Sequence, residues 1–152
     1  MTDHNDTYWM NLALKEAQKA ASLGEVPVGA VLIHQNKLLA QAHNTRETTQ
    51  HISGHAEIQV LEKASEVIQS WRLPETTLYV TVEPCLMCVG AILQARVQRV
   101  VFGVREPKSG SLVSNLHFHK IPNTPKLEVV EGILSSKCQK LMKTFFGVQR
   151  EV

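Results

Sequence analysis

The 152-residue chain contains no apolar run near the roughly 20 residues of a membrane span. Its first residues, Met1 to Asp6, are polar and lack the hydrophobic stretch of a secretory leader, so no membrane association is expected and a cytoplasmic location is. Aromatic residues are scarce at 5%, which leaves the core to be built from Val, Leu, Ile and Ala. With 43% hydrophobic and 20% charged residues, the composition is nonetheless that of a folded protein and not of a disordered one. Charge of one sign is lacking too. The 16 Lys and Arg against 14 Asp and Glu leave a net charge of +2, compatible with a polyanionic partner but too small to identify one. Cysteine is limited to three, an odd number with two in a close pair. That argues against a disulfide framework and fits a reducing compartment in which thiolates can hold metal.

A chain of this length buries roughly two-thirds of its unfolded surface. One core can therefore form without a metal or a disulfide, and any metal site is free to do chemistry. No internal repeat, low-complexity tract or linker divides the chain, so residues 1–152 are read as a single domain. Asp6 or Thr7 can cap a first helix with apolar positions at Met10, Leu14, Ala17 and Ala21, ending at Gly24. Val26 to His34 and Lys37 to His43 read as a hairpin about Gln35-Asn36, followed by a polar loop from Asn44 to Gly54. A second helix runs from His55 toward Pro74, and Thr77 to Val82 is a buried strand. A third helix starts after Pro84 and reaches about Ala95, and Val97 to Val104 is a strand apolar on both faces. A loop-rich stretch from Glu106 to Asn123 precedes a short strand, Leu127 to Val130, and a last helix, Ser135 to Phe146. This order predicts an α/β fold: a three-layer α/β/α sandwich around a mixed five-stranded sheet.

Chemistry concentrates at His55-Ala56-Glu57 and at Pro84-Cys85-Leu86-Met87-Cys88, each where a loop or strand hands over to a helix. Cys85 and Cys88 lie three apart in one helical turn and project on one side, and a helix N-terminus favours the thiolate a metal needs. A Cys-x-x-Cys alone is as readily redox-active or structural. His55 adds a nitrogen, giving a Zn²⁺ site of one His and two Cys. Structural zinc normally has four protein ligands, whereas three leave a position for a water whose acidity the metal raises. Glu57, in the first turn after His55, is placed to act as general base and then acid. Cys138 reads as a packing residue of the last helix. His117 and His119 read as solvated loop residues, and His4, His34, His43 and His51 share no spacing that suggests a site. Arg96, Arg99, Arg105, Lys108, Lys137, Lys140, Lys143 and Arg150 provide either a flank for phosphates or merely a solvated surface.

A His-x-Glu followed by Pro-Cys-x-x-Cys is the known signature of zinc nucleobase deaminases. The chain resembles the cytidine and deoxycytidylate deaminase superfamily and, within it, the bacterial tRNA-specific adenosine deaminases. The blocks that carry the resemblance run from about Tyr8 to Phe146. They are Tyr8-Trp9-Met10, Glu25-Val26-Pro27-Val28-Gly29-Ala30-Val31, Asn44, His55-Ala56-Glu57-Ile58, Thr77-Leu78-Tyr79-Val80-Thr81, Glu83-Pro84-Cys85-Leu86-Met87-Cys88, Gly90-Ala91-Ile92 and Val100-Val101-Phe102-Gly103. The resemblance implies a cytidine deaminase-like sandwich and a homodimer with one Zn²⁺ per subunit on His55, Cys85 and Cys88. It also implies conversion of the wobble adenosine of an arginine tRNA anticodon to inosine, with Glu57 moving protons and Asn44 hydrogen-bonding the inserted base.

The chain departs from that family at His51-Ile52-Ser53-Gly54, where an aspartate, a proline and small residues are usual, and at Glu106, where aspartate is usual. Those departures bear on RNA contacts, not on the metal ligands. A free-base or nucleoside deaminase, of guanine or cytosine, shares the zinc motif and is the alternative within the enzyme class. The riboflavin-pathway deaminases fit less well, because Cys85-Leu86-Met87-Cys88 lacks their His-Gly after the first cysteine and their wider spacing. A non-catalytic, zinc-stabilised RNA-binding module is the alternative of another class, and it has no use for Glu57.

Overall fold

Three strands carry apolar residues on both faces because both faces are covered. In the computed structural model, which describes residues 4–151 and the side chains of 4–147, α1 (Asp6–Ser22) leads into β1 (Gly29–His34) and β2 (Lys37–His43). A short α2 (Arg46–Thr49) and α3 (Ala56–Ile68) follow, then β3 (Thr76–Val82), α4 (Leu86–Gln94) and β4 (Arg99–Val104). A loop bearing one 3₁₀ turn, Phe118–Lys120, leads to β5 (Glu128–Glu131) and α5 (Ser135–Glu151). The strand order is β2-β1-β3-β4-β5. β1 is antiparallel to β2 and β3, whereas β3, β4 and β5 run parallel. The fold is the mixed five-stranded α/β sandwich of the cytidine deaminase-like type.

Alternation along the strands divides the core. Ala30 and Leu32, Leu78 and Val80, and Val100 and Phe102 face α3 and α4, meeting Val60, Leu61, Val89 and Ile92. Val31 and Ile33, Tyr79 and Val101 face the other way, toward Trp9, Met10 and Leu14 of α1 and Cys138 of α5. Cys138 is a buried packing residue. At Gly29 a Cβ would run into the backbone of α1 at Ala13 and Ala17, so this glycine lets the helix lie against the start of β1.

Two local readings change. Asn5, not Asp6 or Thr7, is the N-cap of α1, accepting the Tyr8 N–H. The stretch from Asn44 to Gly54 is not wholly a loop: α2 forms inside it with no buried residue, and so leaves no apolar periodicity to read. Asp6 is instead a tie. Its carboxylate accepts from the Tyr79 hydroxyl at 2.6 Å and from Arg99 at 2.9 and 2.6 Å, joining α1 to β3 and β4. Arg99 is thereby removed from any phosphate-binding flank.

The Arg99 guanidinium holds the Asp6 carboxyl below its ordinary value, outweighing burial, with help from Tyr79. A carboxyl lowered in the folded state stabilises the fold above its ordinary titration range, and that contribution is lost as pH falls through the folded value. Asp6→Asn is therefore expected to lower stability at neutral pH by about 1–3 kcal/mol and to flatten the acid limb of a Tm-against-pH profile below about pH 4. An unchanged acid limb would show the tie to be idle.

Candidate active site

α3 and α4 begin side by side, and their N-cap residues are His55 and Cys85, neither of which spends its side chain on capping. Both hold extended backbone, with φ −76° and −77°, that turns the side chain across the helix end. Cys88 follows one turn into α4, fully buried. The structure brings the three together: His55 Nδ1 lies 3.7 Å from Cys85 Sγ and 3.5 Å from Cys88 Sγ, and all three donor atoms fall within 4.8 Å of one another. Tetrahedral zinc with its usual Zn–S and Zn–N lengths would separate sulfur from nitrogen by about 3.6 Å. The donor set, one imidazole and two thiols, fits zinc in both chemistry and spacing.

The charges are unevenly distributed. Hydrogen bonding from Cys88, and then from His55, holds the Cys85 thiol down at about 4. The same bond from the other side, reinforced by burial, pushes Cys88 well above its ordinary value. Hydrogen bonding to Cys85 raises His55. Glu57, in the first turn of α3, is only 4% exposed, and burial pushes its carboxyl up to about 7. A carboxyl near neutrality can both take and return a proton.

These groups open onto a cavity of about 140 Å³, with Asn44, Arg46, Glu57, Glu106, Ser109 and Met142 among its lining residues. That is smaller than the roughly 300–1,000 Å³ of drug-sized sites and suits a single planar base. Asn44 is buried, donating Nδ2–H to Val26 O and accepting the Arg46 N–H. An amide has two N–H groups and two lone pairs on its oxygen, so one of each is still free for a ligand. Arg46, Ser109 and Met142 were not singled out from sequence. Met142 comes from α5, about 85 residues from His55 along the chain, and no local spacing could point to it. Glu106, one of the departures from the resembled family, borders the cavity directly.

Glu83 anchors that wall. It is 3% exposed and accepts from the N–H groups of Glu106, Leu112, Val113 and Ser114 at 2.8–3.1 Å and from the Ser114 hydroxyl. Burial opposes its charge, but these donors prevail and keep it ionised below the ordinary carboxylate range. A Cβ at Gly110 would run into the Glu83 carboxylate, so the loop can pass only as glycine. Of the basic residues, Arg105 is held by Glu131 at 2.9 and 3.1 Å, and the side chain of Arg150 lies outside those described. His117 and His119 flank Phe118 with exposed rings, away from the cluster.

Two helix starts presenting one imidazole and two thiols, with a buried carboxyl beside them, define a deaminase centre. The model of the MafB19-like deaminase family matches residues 4–150, and the chain belongs to that family. It is 44% identical over 149 residues to the tRNA-specific adenosine deaminase of Bacillus subtilis (strain 168), covering 96% of this chain and 91% of that one. A solved structure from work on A-to-I editing by tRNA:A34 deaminases at the wobble position of transfer RNA is similar at TM-score 0.86 and 38% identity. That match covers 89% of this chain and 99% of the other. A guanine deaminase from Bacillus subtilis is similar at TM-score 0.64 and 30% identity, over 67% of this chain and 66% of that one. The chain is accordingly a deaminase.

If the three donors bind metal and Glu57 does not, the two kinds of substitution separate in a metal assay. Cys88→Ala is expected to reduce zinc from one per chain to a small fraction by elemental mass spectrometry, while Glu57→Gln retains it. Zinc loss in Glu57→Gln would make that carboxylate a ligand.

Proposed function

We propose that the protein hydrolytically deaminates adenosine to inosine at the wobble position of a tRNA anticodon, with an arginine tRNA as substrate. The observation that carries the reading is a small, base-sized cavity in which a buried carboxyl adjoins a His-Cys-Cys cluster. The names of the relatives supply the substrate. His55, Cys85 and Cys88 would hold one Zn²⁺ per subunit, and zinc so bound makes a water acidic enough to attack near pH 7.

Glu57 takes a proton from the attacking water as the C6–O bond forms and delivers it to ring N1. It then carries the second proton to the exocyclic nitrogen, and the C6–N bond breaks to release ammonia. The balance is adenosine plus water to inosine plus ammonia. Asn44 holds the ring edge through its free N–H and lone pair while Val26 and Arg46 keep the amide from rotating. A cavity this small admits the base only when it leaves its stack, which costs least in a single-stranded loop.

Residues 1–152 act in this reading as one CMP/dCMP-type deaminase domain, in the cytoplasm where tRNA is used. No helix among the described residues is long and apolar enough to cross a membrane. The subunit pairs as a homodimer. Ile52, Leu86 and Met87, close in sequence to the His55 and Cys85 helix starts, are among the exposed apolar residues available for such pairing.

Nucleoside mass spectrometry after incubating the zinc-loaded protein with an arginine tRNA bearing a wobble adenosine is expected to show inosine. Free adenosine, guanine and cytosine in parallel are expected to stay unchanged. Product from a free base alone would move the protein to nucleobase deamination. Glu57→Gln is expected to lower kcat by at least about 10²–10⁴-fold with zinc retained. Asn44→Ala is expected to cost about 10- to 100-fold in kcat/KM, equivalent to roughly 1–3 kcal/mol; wild-type kinetics in that variant would remove Asn44 from the site.

A further inference from the structure

One wall of the cavity is held by a residue that does not line it. Glu25 is a carboxylate at 1% exposure, and its backbone is fixed by the end of α1. Its N–H donates to Ala20 O at 2.9 Å, and Gly24, at φ +77°, makes the reversal that brings it there. Its side chain crosses to α2, where Oε1 accepts the Glu47 N–H at 3.1 Å and Oε2 accepts both the Thr48 N–H and the Thr48 hydroxyl at 2.6 Å. It forms no ion pair among the described residues.

α2 is four residues long and buries none of them. Helices shorter than about 12 residues are marginal by themselves, and no apolar face holds this one to the body. What remains is hydrogen bonding. Glu25 grips the first turn, and Gln59 on α3 donates Nε2–H to His43 O, Thr45 Oγ1 and Gly54 O at 2.8–3.1 Å. The Glu25 link also closes a circuit. Val26, its neighbour, accepts from the Asn44 amide, Asn44 accepts the Arg46 N–H, and Arg46 begins the helix whose next two residues return to Glu25. Three of the residues in this circuit, Val26, Asn44 and Arg46, line the cavity. Burial opposes the charge on Glu25, but the Thr48 and Glu47 donors, helped by the Arg46 charge, prevail and hold its carboxyl below the ordinary value, and an amide could not satisfy all of these converging donors.

We propose that Glu25 is a positioning residue for the reaction: by holding α2 it fixes the Asn44–Arg46 wall against which the base is aligned. This rests on the deaminase reading above. Removing the grip leaves the cluster of His55, Cys85 and Cys88 intact and lets the wall drift, and misplacement of about 1 Å can cost about 10²-fold in rate.

The test uses the zinc-loaded full chain and an anticodon stem-loop RNA with a wobble adenosine. Glu25→Gln is expected to lower kcat about 10- to 100-fold with KM within about threefold of wild type, at full zinc content and unchanged circular dichroism. Thr48→Val removes one donor from an exposed residue and so leaves the core whole; it is expected to lower kcat about 3- to 10-fold, with little further loss when combined with Glu25→Gln. Amide exchange at Glu47 and Thr48 should rise in Glu25→Gln while α3 is unaffected. Wild-type kcat in folded Glu25→Gln, or in Thr48→Val if the first variant does not fold, would overturn the proposal. So would a kcat loss that tracks zinc loss. A wild-type chain inactive on the RNA would sink the tRNA-substrate reading instead, and the exchange measurement would still decide whether Glu25 holds α2.

Discussion

The site depends on two helices beginning at the same edge of the sheet. α4 must start where β3 ends, because the parallel pairing of β3 and β4 requires a crossover that returns the chain to the other end. α3 comes to the same edge because β2 and β1 run antiparallel to each other and β1 antiparallel to β3, so β2 ends where β3 ends. With both helix starts side by side, the N-cap positions put His55 and Cys85 in contact distance without any special loop. The Thr81 hydroxyl, accepting the Gly29 N–H at 3.2 Å, pins the start of β1 against the end of β3 at this edge. The cluster is therefore a consequence of topology plus two side-chain choices.

Around it, the fold spends buried carboxylates instead of apolar packing. Glu25 and Glu83 hold different segments, and each is satisfied by backbone N–H and hydroxyl donors of a segment that walls the cavity. Loops that lie over a cavity cannot bury much apolar surface, and backbone groups left unpaired there would be costly. An ionised carboxylate accepts several such donors at once and makes stronger bonds than a neutral acceptor. Gly110, which passes where a Cβ would strike Glu83, is the steric counterpart of the same arrangement.

This division explains how much could be read in advance. The order of elements, the two-faced strands and the two half-motifs, His55-Ala56-Glu57 and Cys85 to Cys88, are local: each is a period or a short spacing, and only the known signature joins the halves across some 30 residues. The parallel crossover from β3 to β4 was equally plain from two apolar strands with a helix between. α2 was not, because it buries no residue and leaves no apolar stripe. Nor were the basic residues sortable. Arg99 and Arg105 look alike in sequence, yet one is committed to Asp6 where α1 meets β3 and β4 and the other to Glu131 on the surface. Met142 and Glu25 reach the site through tertiary packing of α5 and through the end of α1, and no window of the sequence contains both them and the cluster. Glu25 was visible only as part of a block resembling a family, without a role.

The electrostatics of the centre follow from the same placement. Cys85 sits at the mouth of a helix start, half-exposed, and is driven toward thiolate. Glu57, two residues past the other helix start, is driven toward the protonated form by burial. Both are acids near positive helix ends, so the helix ends alone cannot separate them: hydrogen bonds from Cys88 and His55 hold Cys85 down against its burial, whereas burial is the main cause that raises Glu57. Cys85, the N-cap of α4, is partly exposed, whereas Glu57 is only 4% exposed. Groups whose environments push their pKa values apart take different roles: the one that stays charged can hold a cation, and the one poised near neutrality can exchange protons. The start of α3 presents two of the groups, His55 beside the sulfurs and Glu57 on the cavity wall. The one intervening residue, Ala56, is fully buried, so the spacing that sets His55 and Glu57 apart is held by the packing as well as used by the chemistry.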